Sequence, residues 1–151
     1  MIKSHRFCGI ECTVLDSKAI VKILKDLCVV LNSGFFMMID GFLCIDGQRI
    51  DLPEFLTIND FKQQLNLSFY AESLVMHYYS IQSEVSAIDT YEDYVNSNCE
   101  MIVIIFDSAY LEVYCKNTQL LRHIYKVACG LSSVSVKRKY EDTDERTGMY
   151  I

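Results

Sequence analysis

Residues 90–116 read TYEDYVNSNCEMIVIIFDSAYLEVYCK, and six apolar residues at their centre set the architecture. Met101, Ile102, Val103, Ile104, Ile105 and Phe106 form an unbroken run, rich in β-branched side chains and too short for a free-standing helix. Such a run predicts a strand buried on both faces, in the middle of a sheet. Asp107 and Ser108 are turn formers, and positions 110–115 can alternate between exposed and buried, so the two segments are expected to pair as a hairpin. Just upstream, Thr90 with Asp93 three residues on resembles a capping box with the shorter acid, which opens a short helix ahead of the hairpin.

Downstream, Asn117 is placed to cap a helix whose apolar stripe is Leu120, Leu121, Ile124, Tyr125, Val127 and Ala128, with Gly130 as its stop. Residues 132–140 alternate and carry Lys137, Arg138 and Lys139, the composition of an edge strand. Upstream, 74–81 reads as a long strand with Tyr78 and Tyr79 on opposite faces. Asn59 opens a short helix ending at Leu65, while 48–56, which holds the only proline, Pro53, has no period and reads as an irregular connection. Asp40-Gly41, between apolar runs at 35–39 and 42–45, predicts a hairpin, and Asp46-Gly47 a second turn. Ala19, Ile20, Ile23, Leu24, Leu27 and Leu31 recur at helical spacing behind Asp16, with Lys18, Lys22, Lys25 and Asp26 opposite. An opening strand at 6–13 puts Cys8, Ile10 and Cys12 on one face and Phe7, Gly9, Glu11 and Thr13 on the other.

Hairpins interleaved with helices predict an α+β fold: a single domain over 1–151, a largely antiparallel sheet, helices packed mainly on one face, and a polar acidic tail from about 141. With 51% hydrophobic and 23% charged residues, the 151-residue chain has the make-up of a globular domain. Its net charge of −6 argues against a grip on nucleic acid or on an anionic membrane, and suits a basic protein partner, with the chain itself a monomer or homodimer. Seven cysteines without a C-x-x-C pair are expected free, reduced and buried. The opening residues lack the apolar core of a signal peptide, so a cytoplasmic protein is expected.

Candidate chemistry is sparse. Cys8 and Cys12, with His5 nearby, would stand about 13 Å apart along a strand, too far for one tetrahedral ion. Neither metal nor cofactor is expected. Cys99, at a junction of helix and strand, is the best-placed thiol, but the spacing of His77 and His123 puts neither beside it. A small enzyme using Cys99 or the carboxylates near Glu92 is therefore the alternative, and no catalytic residue is assigned. Asp89, Glu92 and Asp93 suit a helix N-terminus without any catalytic role. Tyrosines at 70, 78, 79, 110 and 114 can line a groove or finish a sheet face. Glu141, Asp142, Asp144 and Glu145 read as an acidic docking strip or as a solvated tail self-paired with Lys137, Arg138 and Lys139. The candidate binding residues are Tyr78, Tyr110, Tyr114, Glu141, Asp142, Asp144 and Arg146.

The motif TYEDY at 90–94, then NSNC at 96–99, the apolar strand with Asp107, VYCK at 113–116 and the ending TDERTGM at 143–149 resemble an uncharacterised bacterial family of about 150 residues, known as a domain of unknown function. The resemblance covers the second half of the chain better than the first. It implies a bacterial, single-domain protein, names no catalytic residue, and makes Arg146, Thr147 and Gly148 candidates for ordering against the body. The leading expectation is a non-enzymatic binding protein working through an acidic or tyrosine-rich surface, of the kind an immunity protein turns toward a basic toxin.

Overall fold

The computed structural model describes residues 5–67, 69–144, 146, 148 and 149. The run Met101–Phe106 is a strand, β6, and it is the middle member of the sheet. In chain order the preceding elements are β1 (Phe7–Val14), α1 (Lys18–Leu31), β2 (Phe35–Ile45), β3 (Gln48–Ile50), β4 (Phe55–Thr57), α2 (Ile58–Leu65), β5 (Phe69–Tyr79) and α3 (Tyr91–Asn96). After β6 come β7 (Tyr110–Cys115), α4 (Thr118–Cys129) and β8 (Val134–Tyr140). The strands form one open sheet in the order β3-β2-β5-β6-β7-β1-β8, with β4 also on β2 and every pairing antiparallel.

The fold is therefore α+β with the helices mainly on one face. Alternation along β6 divides two cores. Met101, Val103 and Ile105 face α1, α2 and α4, whose Ile20, Ile23, Leu24, Phe61, Leu121 and Ile124 cover them. Ile102 and Ile104 face a smaller core built from Tyr79, Ile88, Tyr91, Tyr94, Cys99, Tyr114 and Met149 under α3. The capping box is present: the Thr90 hydroxyl accepts from Asp93 N–H at 3.1 Å while the Asp93 carboxylate accepts from Thr90 N–H. Asn117 caps α4 through Leu120 N–H, also at 3.1 Å.

Three expectations are corrected. The segment 35–45 is one strand, not a hairpin: a bulge at Ile39 shifts its register against β5, Asp40 and Gly41 pair with Val75 and Leu74, and the chain reverses at Asp46-Gly47. The segment 48–56 contains β3 and the start of β4, too short to show a period. At β1 a bulge inserts Cys8 between Phe7 and Gly9, so Phe7 joins the helix-covered core, Cys8 the smaller one, and Cys8 and Cys12 lie on opposite faces. One cap also shifts, since Thr57 rather than Asn59 caps α2, while at the start of α1 the Asp16 carboxylate accepts from Lys18 N–H at 3.0 Å.

Candidate functional site

On the face opposite the long helices, α3 covers only part of the sheet. Where β7, β1 and β8 lie side by side, that face carries charge: Glu112 on β7, Glu11 on β1, and Lys137 and Lys139 on β8. Cross-strand register places Glu11 between Glu112 and Lys137, and Gly9 between Tyr114 and Lys139. Gly9 is needed for close approach. A Cβ there would come within 2.7 Å of the Val113 carbonyl and 3.2 Å of the Tyr114 ring, so glycine lets that ring lie across β1 and reach Lys139.

The C-terminal segment straps over this surface. Gly148 forms a β-bridge with Thr90, Met149 N–H donates to the Asp89 carbonyl at 3.0 Å, and the Met149 side chain is buried in the smaller core. Between that anchor and β8, Asp144 and Arg146 turn inward. Arg146 Nε stands 2.7 Å from Glu112 Oε2, and its NH2 donates to Oε1 at 3.2 Å. Lys139 Nζ lies 3.4 Å from Glu112 and 3.3 Å from Asp144, and donates to the Tyr114 hydroxyl at 3.0 Å. That hydroxyl donates to Asp144 Oδ2 at 2.7 Å. Burial, reinforced by the Asp144 carboxylate, raises the Tyr114 phenol far above its ordinary range, so it stays a donor. Burial pulls Arg146 down, but the hydrogen bond and charge of Glu112 outweigh it and the net shift is upward. Beside the strap an open groove of about 800 Å³ remains, with Glu11 and Lys137 on its wall.

The structure brings Tyr114, Asp144 and Arg146 together in this network. Glu141 is buried at the end of β8, with Arg6 at 3.7 Å, and Asp142 is exposed beside His5 at 2.9 Å. Tyr78 sits on the other face, donating to the Ser33 carbonyl at 2.7 Å, and Tyr110 stacks on Phe106 at the far end of β7. The side chain of Tyr70, and Glu145 and Thr147, lie outside the described residues. The acids at 141 and 144 are thus turned into the body rather than offered as a solvated strip.

Among the described residues no group of three His, Cys, Asp or Glu is placed to hold a metal ion. Cys99 is fully buried and donates to the Met101 carbonyl, and burial pushes its thiol up to about 12. Burial likewise holds Cys8 and Cys115 near 11, and Cys12 and Cys28 near 12. Cys129 alone of the seven is exposed. A thiol reagent applied to the native protein is expected to label Cys129 at once and Cys99 only on unfolding, read by mass spectrometry of the labelled peptides.

His77 is buried on β5 between Met37 and Ile102, and among the described residues neither ring nitrogen has a hydrogen-bond partner. Burial lowers it from 6.5 to about 4. The unfolded chain therefore takes up a proton at a pH where the folded chain does not, so stability is full above 6.5 and falls as pH drops toward 4. The loss over that window is expected to be about 3 kcal/mol, measured by urea unfolding at several pH values, and His77→Leu should flatten the dependence.

An antiparallel sheet with helices mainly on one face, and a charged groove beside the C-terminal segment on the other, define an α+β protein with a polar surface groove. A family model described as Protein of unknown function (DUF2691) matches residues 48–150, and the chain belongs to that family. The match holds β3 to β8 and the strap. The chain is also similar to the uncharacterized protein YncE of Bacillus subtilis strain 168, at 27% identity over 92 residues. That alignment covers 60% of this chain and 60% of the relative's length. No solved structure matches.

Proposed function

We propose that this protein is a non-enzymatic interaction module of the cytoplasm that docks a basic protein surface, as an immunity-type protein does with a basic toxin. The carrying observation is charge segregation. Residues 63–115 contain eight of the 20 carboxylates and none of the 14 Lys and Arg, so this stretch carries −8 and the rest of the chain +2. Glu112 is buried in the network, while Glu72, Glu84, Asp89, Glu92, Asp93, Glu100 and Asp107 are exposed. Four of these lie within 84–93, the segment that leads into α3 and begins it. A concentrated negative potential of this kind steers a positive partner and sets its orientation.

The chemistry within reach favours binding over catalysis. Glu112, Asp144, Lys139 and Arg146 neutralise one another, and the Cys99 thiol is held protonated. Free thiols at all seven cysteines suit a reducing compartment. No helix among the described residues is long and apolar enough to cross a membrane. Immobilised protein is expected to retain a basic protein from lysate at low salt and release it as salt shortens the range of the field. Retention indifferent to salt would contradict the proposal.

A further inference from the structure

We propose that a second cleft, between the start of β1, α4 and β8, binds a nucleoside polyphosphate. The cleft measures about 590 Å³, within the range of small-ligand sites, and lies on the helix-covered side of the sheet, away from the strap. In a chain of net charge −6 it gathers four fixed cations: Arg6, Arg122, Lys126 and Arg138. Arg122 and Lys126 stand one turn apart on α4, with Thr118 a further turn back, and α4 contains no Asp or Glu. Among the described residues, Arg122, Lys126 and Arg138 have no carboxylate within ion-pair distance.

Arg138 is held in place before any ligand arrives. Its guanidinium lies 4.5 Å from the centre of the Tyr125 ring and 5.5 Å from that of Phe7. A guanidinium fixed by aromatic rings, with no carboxylate on its donors, is a preorganised fork for phosphate oxygens. Glu141 stands 3.7 Å from Arg6 and Asp142 2.9 Å from His5, which leaves the α4 end of the cleft as its positive end. His5 stacks flat on Tyr140, with centroids 4.4 Å apart and planes within 7°. Half of the polar requirement is thus for phosphates along α4 and β8. The other half is met by a flat, partly exposed ring pair on which a base can stack.

Isothermal titration with ATP, inorganic tripolyphosphate and adenosine tests this directly. ATP is expected to bind with a micromolar dissociation constant at low salt, and tripolyphosphate about tenfold more weakly for want of the stacked ring. The double variant Arg122→Gln/Lys126→Gln, both at exposed positions, should weaken ATP about tenfold or more while leaving the thermal midpoint unchanged. No heat with ATP, equal affinity for ATP and tripolyphosphate, or full ATP affinity in the double variant would each overturn the proposal.

Discussion

Arg146→Met is expected to lower the free energy of unfolding by about 3 kcal/mol, because it removes the main counter-charge of a nearly buried carboxylate. The Glu112 side chain is 6% exposed, and Arg146 contacts both its oxygens. Among the described residues Lys139 is left as its remaining cation, and Lys139 is already shared with Asp144 and Tyr114. The effect should depend on the charge of Glu112. In a Glu112→Gln background the same substitution is expected to cost only about 1 kcal/mol, since no buried charge is then stranded. Urea unfolding of the four proteins gives the coupling, and purely additive losses would mean that Arg146 acts by packing alone.

Gly41→Ala is expected to cost at least about 3 kcal/mol, combining backbone strain with a collision. Gly41 has φ of +103°, and a Cβ would run into the Ser73 carbonyl oxygen and stand 2.6 Å from Leu74 Cα. Because β2 and β5 share the longest pairing in the sheet, the strands must part or shift register to admit a methyl group. Chemical denaturation checks the size of the loss. Wild-type stability in this variant would show that β2 tolerates another backbone path at Gly41.

The same glycine explains a limit of the sequence. Asp-Gly signals a reversal because glycine accepts positive φ, and a paired strand beside a bulge can use the same freedom. What separates the two at Asp40-Gly41 is β5, some thirty residues later in the chain, lying alongside. Where structure is local, the reading held. The run 101–106 is the central strand, Thr90 and Asp93 form their capping box, and Asn117 caps α4. Strands of three residues such as β3 and β4 are too short to carry a period, and the Cys8 bulge depends on pairing with β8.

The candidate site was legible only in part. Asp144 and Arg146 stand in a run that looks like solvated charge, and their partners lie on strands about thirty residues away or on β8. One signal was present: Glu112 sits between Leu111 and Val113 in a strand that is otherwise apolar or aromatic, and a carboxylate there requires a buried cation. The absence of Lys and Arg from 63–115 is equally plain in the sequence, but it becomes a surface only when α3 and its leading segment are seen to share the face opposite the long helices.

The interaction proposal is tested most directly by reversing that surface. Glu84, Asp89 and Glu92 are exposed, and among the described residues none of their side chains serves a cap or an ion pair, so Glu84→Lys/Asp89→Lys/Glu92→Lys should fold, with only the small loss of thermal midpoint that cations at the start of α3 bring. Capture of the basic partner should be measured side by side for the two proteins at low salt. The proposal predicts that the wild type retains it and the triple variant does not; equal retention by both would contradict it.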